Sequence, residues 1–108
     1  MGARPATKYG NRRVTEDGIP FDSLAELRRY RELRMLEAAG VIAGLEVHPR
    51  YPLVVNGVEV ANYLADFRYV EEGVQKVEDV KGVRTAVYRL KAKLMRAIYG
   101  IKVIEVEA

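Results

Sequence analysis

The chain has 108 residues, about half of them apolar (49%), a net charge of +3 and no cysteine. That length suits one compact domain with a single core, and the missing cysteines exclude disulfides, thiol catalysis and cysteine-based zinc sites. With His48 as its one histidine, histidine-rich metal sites are excluded too, so any metal would be a hard cation held by carboxylates: magnesium, manganese or calcium. No run approaches the ~18 consecutive apolar residues of a membrane span, and the basic start MGARPATKYGNRR lacks the apolar stretch of a signal peptide. The expectation is a soluble, cytoplasmic protein without a membrane partner.

Residues 1–18 carry Gly, Pro and Asn without periodicity and read as a flexible basic arm, leaving 19–108 as the domain. In the arm, Arg4, Lys8, Arg12 and Arg13 precede the first acid, Glu16. Strong helix formers run from Ser23 to Ala39, opened by Ser23 with Glu26 three positions on and closed by Gly40. Glu26, Tyr30, Leu33 and Glu37 share one face of this helix, so Glu26 can look toward a sheet. The same run is also a capping box, in which Glu26 would satisfy the N-cap amide instead.

Residues 46–55 and 58–70 flank Asn56-Gly57 and are expected to pair antiparallel through a type I′ turn. Pro49 and Pro52 make the first of these an edge strand or an irregular one. After the Glu71-Glu72-Gly73 turn, residues 74–81 (VQKVEDVK) read as the third strand of a meander. The spacing predicts a second helix from Thr85 to Tyr99, with Val87, Leu90, Leu94, Ala97 and Ile98 toward the core and Arg89, Lys93 and Arg96 opposite. Residues 101–106 read as a last strand, parallel to the third through the helical crossover. The order is αβββαβ, an α/β fold.

Two basic segments, the arm and residues 84–102 (Arg84, Arg89, Lys91, Lys93, Arg96, Lys102, with no acid among them), point to a polyanionic partner, nucleic acid first. Within VEDVKG (77–82), strand alternation puts Asp79 and Lys81 on one face and Glu78 on the other. Asp66, in the run NYLADF on the preceding strand, can come near Asp79 in an antiparallel meander whose register allows it. Two carboxylates and an ammonium in one patch suit a hard divalent cation and metal-assisted phosphodiester hydrolysis. Plainer roles compete for each residue. Asp66 can pair with Arg68 or Lys81, Asp79 and Lys81 can be surface charges, and Arg89, Lys93 and Arg96 a solvated helix face. Lys91 reaches the site's edge or snorkels along the core rim. His48, beside Pro49, reads as structural, and Tyr88 and Tyr99 either stack on bases or cap a core or dimer interface.

A glutamate in FDSLAE, an aspartate in LADF and then DVK on the next strand, all within αβββαβ, resemble the PD-(D/E)xK nuclease superfamily. Within it the chain is most similar to archaeal-type Holliday junction resolvases of the Hjc kind and to small phage nucleases, over residues 21–106. The resemblance implies a restriction-endonuclease-like core with a mixed central sheet flanked by helices. It implies that Asp66 and Asp79 bind Mg²⁺ (with Mn²⁺ as a substitute), that Glu26 completes the metal site and that Lys81 acts on the attacking water. It further implies a homodimer cutting opposed strands of a four-way DNA junction in recombination or phage DNA processing. From their charge and placement in the two basic segments, Arg4, Lys8, Arg12, Arg13, Arg84, Arg89, Lys93 and Arg96 are the expected contacts to that DNA. Ala65 stands where the superfamily's proline would be, and the acid of the D/E-x-K element is Asp79. A nicking, restriction-like or transposase-partner nuclease on linear DNA, and a non-catalytic DNA-binding domain, remain alternatives.

Overall fold

The computed structural model describes residues 13–108. Strands β1 (Val14–Glu16) and β2 (Ile19–Phe21) lead into helix α1 (Leu24–Ala38). Five strands follow, β3 (Ala43–Val47), β4 (Arg50–Val55), β5 (Val58–Leu64), β6 (Phe67–Glu71) and β7 (Val74–Lys81), then helix α2 (Ala86–Tyr99) and β8 (Ile104–Glu107). The fold is mixed α/β. Its main sheet runs β3-β6-β7-β8, antiparallel except for the expected parallel β7–β8 pair, in which Glu78 lies beside Ile104.

The simple order αβββαβ is modified in two places. Val14–Glu16, inside the stretch expected to be an arm, pairs with Ile19–Phe21. Asp17-Gly18 makes the turn, with φ of 55° and 76°, as a type I′ turn needs. The Asp17 carboxylate accepts from the Tyr30 hydroxyl at 2.7 Å, which ties the hairpin to α1. Of the expected arm, residues 14–18 therefore belong to the fold.

The second change splits both long strands of the central hairpin. Its Asn56-Gly57 turn forms as expected, with φ of 50° and 79° and Val55 opposite Val58. Farther along, the ladder bends where Pro49 has no amide to donate and His48 takes φ of 56°. The bend is bridged by His48 N–H donating to Asp66 O at 2.9 Å and Ala65 N–H donating to Pro49 O at 3.0 Å. Beyond it β3 and β6 join the main sheet, while β4 and β5 form a separate two-stranded sheet.

Two apolar clusters hold the elements together. Phe21, Leu27, Tyr30, Leu33, Ile42, Phe67 and Tyr69 pack α1 against the main sheet. Tyr51, Leu53, Tyr63, Ala65, Val77, Tyr88, Met95 and Val103 pack α2 over β7 and the β4–β5 hairpin. Helix α2 is rotated from its expected setting: Val87 and Leu90 are 62% and 58% exposed and Ala97 is exposed, while Tyr88 and Met95 are buried. Both stripes are apolar, but the Tyr88 ring packs near Tyr63 and its hydroxyl donates to Glu105 Oε2 at 2.9 Å. Burying this stripe hides a large aromatic area with its polar tip satisfied. Among the described residues no helix is long and apolar enough to cross a membrane.

Candidate functional site

Glu26, Asp66, Asp79 and Lys81 line one cleft of about 370 Å³, together with His48 and, at its mouth, Arg13 and Asp22. Each arrives there through local chemistry. Ser23 caps α1, its Oγ accepting from the Glu26 amide at 3.1 Å, and this sets the first turn against the end of the sheet. The Glu26 carboxylate is not consumed in the cap: Oε1 is buried without a hydrogen-bond partner. The helical face read from the sequence holds, with Glu26, Tyr30 and Leu33 buried and Glu37 Oε2 accepting from the Leu45 amide at 3.0 Å.

Asp66 lies at the bend between β5 and β6, one step beyond the Phe67–Glu78 pair of the β6–β7 ladder, which brings it opposite Asp79. Its Oδ2 accepts from the Val80 amide at 2.7 Å, anchoring the side chain to β7. It pairs with neither Arg68, which bonds Glu46, nor Lys81. Burial, reinforced by the Asp79 carboxylate and by Glu26, pushes the Asp66 carboxyl up to about 9. Glu26 is also raised, by burial first and then by Asp22, with His48 opposing. Crowded carboxylates held out of water cannot all ionise without a compensating cation.

Asp79 is 3% exposed and accepts a hydrogen bond from the buried Tyr63 hydroxyl. Lys81 Nζ lies 3.7 Å from Asp79 Oδ1 and 4.2 Å from the centre of the Tyr88 ring, so a carboxylate and an aromatic face hold the ammonium. Lys91 lines a small adjoining pocket with Asp79 and Lys81. Glu78 faces the other way, as alternation requires, and is buried against Arg29 and Tyr69.

Sequence reasoning passed over two residues. Tyr63 lay unremarked in NYLADF, although a tyrosine three positions before a buried acid has a polar tip that needs a partner. His48 reads as structural from the sequence, and its ring does pack near Phe21, with centroids 5.9 Å apart. Its Nε2 is also 3.6 Å from Glu26 Oε1, and Glu26, His48 and Asp66 each offer a ligand atom, all within 4.8 Å of one another.

Of the expected DNA-contacting residues, Arg4, Lys8 and Arg12 lie outside the described residues. Arg13 is at the cleft mouth, 3.4 Å from Asp22 with both side chains largely exposed. Arg84 is occupied, its Nε donating to Glu105 Oε1 at 2.5 Å and Nη2 to Glu107 Oε2 at 2.9 Å. The acids absent from residues 84–102 are thus supplied by β8. Arg89, Lys93 and Arg96 are exposed on α2. Lys93, Arg96 and Lys102 border a groove of about 640 Å³ between α2 and β8. Tyr88 and Tyr99 serve the fold, the latter donating to Pro52 O at 2.5 Å.

Fold and cleft together define a small mixed α/β protein with a carboxylate-rich site at the end of its sheet. The chain belongs to the family described as a protein of unknown function (DUF1064), whose model matches residues 6–105. No curated protein and no solved structure matches it.

Proposed function

We propose that this protein is a divalent-metal-dependent endodeoxyribonuclease on a restriction-endonuclease-like core, hydrolysing phosphodiester bonds in branched DNA as a Holliday junction resolvase does. The observation that carries the proposal is the meeting of Glu26, Asp66, Asp79 and Lys81 in one cleft. The residues fit a cation: one carboxyl is pushed up to about 9 by burial and like charge, and a buried carboxylate oxygen on Glu26 has no hydrogen-bond partner. Glu26, Asp66 and Asp79 would hold Mg²⁺ or Mn²⁺, which supplies Lewis-acid activation of water and of the phosphoryl oxygen.

The chain's own groups divide the remaining work. Val80 N–H fixes Asp66, and the Tyr63 hydroxyl fixes Asp79, so neither carboxylate has to be ordered when substrate arrives. Lys81, steadied by Asp79 and the Tyr88 ring, places a positive charge where the attacking water and the phosphate's growing negative charge meet. Arg13 at the cleft mouth and Arg89, Lys93 and Arg96 on α2 supply phosphate contacts, which position a branched duplex by shape and carry little sequence information. One cleft makes one incision, so paired cuts across a junction take two copies of the chain.

The test is cleavage of end-labelled four-way junction, linear duplex and single strand, with Mg²⁺, Mn²⁺ or EDTA, by wild type and Asp79→Asn. Symmetric cuts in the junction alone, lost in EDTA and in the variant while binding persists, are the expected result. Equal cutting of linear duplex would make the protein a nicking, restriction-like or transposase-partner nuclease. Tight binding without any cutting, indifferent to metal and to Asp79→Asn, would leave a DNA-binding domain.

A further inference from the structure

The proposed metal site is built from oxygen donors, yet a nitrogen donor stands in the same cleft. Glu26, His48 and Asp66 bring one ligand atom each to within 4.8 Å of one another. The 3.6 Å between His48 Nε2 and Glu26 Oε1 is too long for a hydrogen bond. Glu26 is nine-tenths buried, and its Oε1 is the buried side-chain atom without a partner among the described residues. A carboxylate oxygen and an imidazole nitrogen that face each other beyond hydrogen-bond distance leave a place for something both can bind.

The backbone also holds the imidazole in position. His48 sits at the strand bend with φ of 56°, its N–H bonded to Asp66 O at 2.9 Å and its ring beside Phe21. The residue contributing the nitrogen and the residue contributing an oxygen are thus joined across one ladder rung.

We infer that His48 Nε2 is a metal ligand alongside Glu26 and Asp66, and that this nitrogen makes the cleft selective for a first-row transition ion such as Mn²⁺ over Mg²⁺. Mg²⁺ is hard and prefers carboxylate, carbonyl and water oxygen, whereas imidazole adds affinity along the transition series from Mn²⁺ upward. Asp79, held by Tyr63 and Lys81, keeps its place among the carboxylates that would hold the ion. The inference rests on the reading of the cleft as a metal site and is independent of what substrate the cleft takes.

The experiment uses the full-length, tag-free protein without DNA, loaded with Mn²⁺ and measured by pulsed electron paramagnetic resonance. Because His48 is the chain's one histidine, production with ¹⁵N-histidine assigns any imidazole coupling without a mutation. The expected result is a directly bound ¹⁴N coupling that changes to ¹⁵N on labelling and vanishes in His48→Asn, asparagine being a residue that tolerates the positive φ. Calorimetry should show Mn²⁺ affinity falling about tenfold or more in His48→Asn, with Mg²⁺ affinity, read by competition, falling much less. No nitrogen coupling in the wild type, or equal losses for the two ions, would overturn the inference. A nitrogen-coupled Mn²⁺ in a protein that cuts no DNA upholds it while sinking the nuclease proposal. Cleavage supported by Mn²⁺ that shows no nitrogen coupling does the reverse.

Discussion

Arg29 grips Glu78 with both arms of its guanidinium, Nε donating to Oε1 at 2.8 Å and Nη2 to Oε2 at 2.7 Å, and it does so one residue before Asp79 enters the cleft. Glu78 is 1% exposed and also accepts from the Tyr69 hydroxyl. Neighbouring acids on β7 therefore have opposite duties, one locking α1 to the sheet and one lining the site. Removing one partner of a buried pair strands the other charge, which costs about 3–5 kcal/mol. Arg29→Met should lower stability by that order in urea unfolding. Adding Glu78→Gln, which keeps an acceptor for Tyr69 and removes the stranded charge, should recover much of the loss. If Arg29→Met costs no more than a surface change, the pair does not lock the helix.

The raised Asp66 carboxyl makes the metal-free protein sensitive to pH. Its folded value, about 9, lies above its ordinary value of 3.8, so the folded state holds this proton more tightly than the unfolded chain does. The stabilisation is complete below the unfolded value and is lost as pH rises toward the folded one. In EDTA, melting temperatures should fall for wild type relative to Asp66→Asn as pH is raised from about 5 to about 9. If the cleft holds a metal as proposed, a divalent ion at the upper pH should stabilise wild type, because it would bind the folded state alone, and should do so less in the variant. Parallel pH profiles in EDTA would show that Asp66 ionises normally.

Helix α2 exposes Leu90 and buries Met95, although both are large apolar residues at positions consistent with one amphipathic stripe or another. Met95→Ala should cost about 2–5 kcal/mol through lost transfer energy and a cavity beside Tyr63, Val77 and Val103. Leu90→Ala should stay within about 0.5 kcal/mol, as surface changes do. Chemical denaturation of the two variants separates the settings of the helix, since the sequence-based stripe predicts the reverse ranking.

What was legible in the sequence was local or periodic. Asn56-Gly57 announces its own turn, the alternation in VEDVK assigns Glu78 and Asp79 to opposite faces, and the i, i+4, i+7 spacing from Glu26 turns its carboxylate inward. The parallel return of β8 followed from a helix between two strands. The bend at His48-Pro49 was harder to see. A proline demotes a strand, but only the pairing partner determines whether the ladder ends or swings into a second sheet, and here Ala65 and Asp66 bridge it. His48 reached the cleft through that bend, which is why spacing could not place it beside Glu26, 22 positions away in sequence. The setting of α2 was decided by Tyr88 finding Glu105 on β8, a long-range partner invisible to helical periodicity.

The basic residues of the second half are not equivalent, and salt can tell them apart. Each arginine or lysine that neutralises a phosphate releases counterions, contributing about 0.9 to the slope of log affinity against log salt. Arg89, Lys93 and Arg96 are exposed on α2, and none forms an ion pair among the described residues, so each is available to a phosphate. Arg84 already holds Glu105 and Glu107 and would have to break both contacts to reach DNA. Titrating a four-way junction at several salt concentrations, the slope should become shallower by about one for each of Arg89→Ala, Lys93→Ala and Arg96→Ala that removes a contact. Arg84→Ala should leave the slope unchanged while freeing two acids whose negative charge weakens binding modestly at low salt. If instead Arg84→Ala reduces the slope and the three α2 variants do not, DNA lies along the β8 edge and away from the exposed face of the helix.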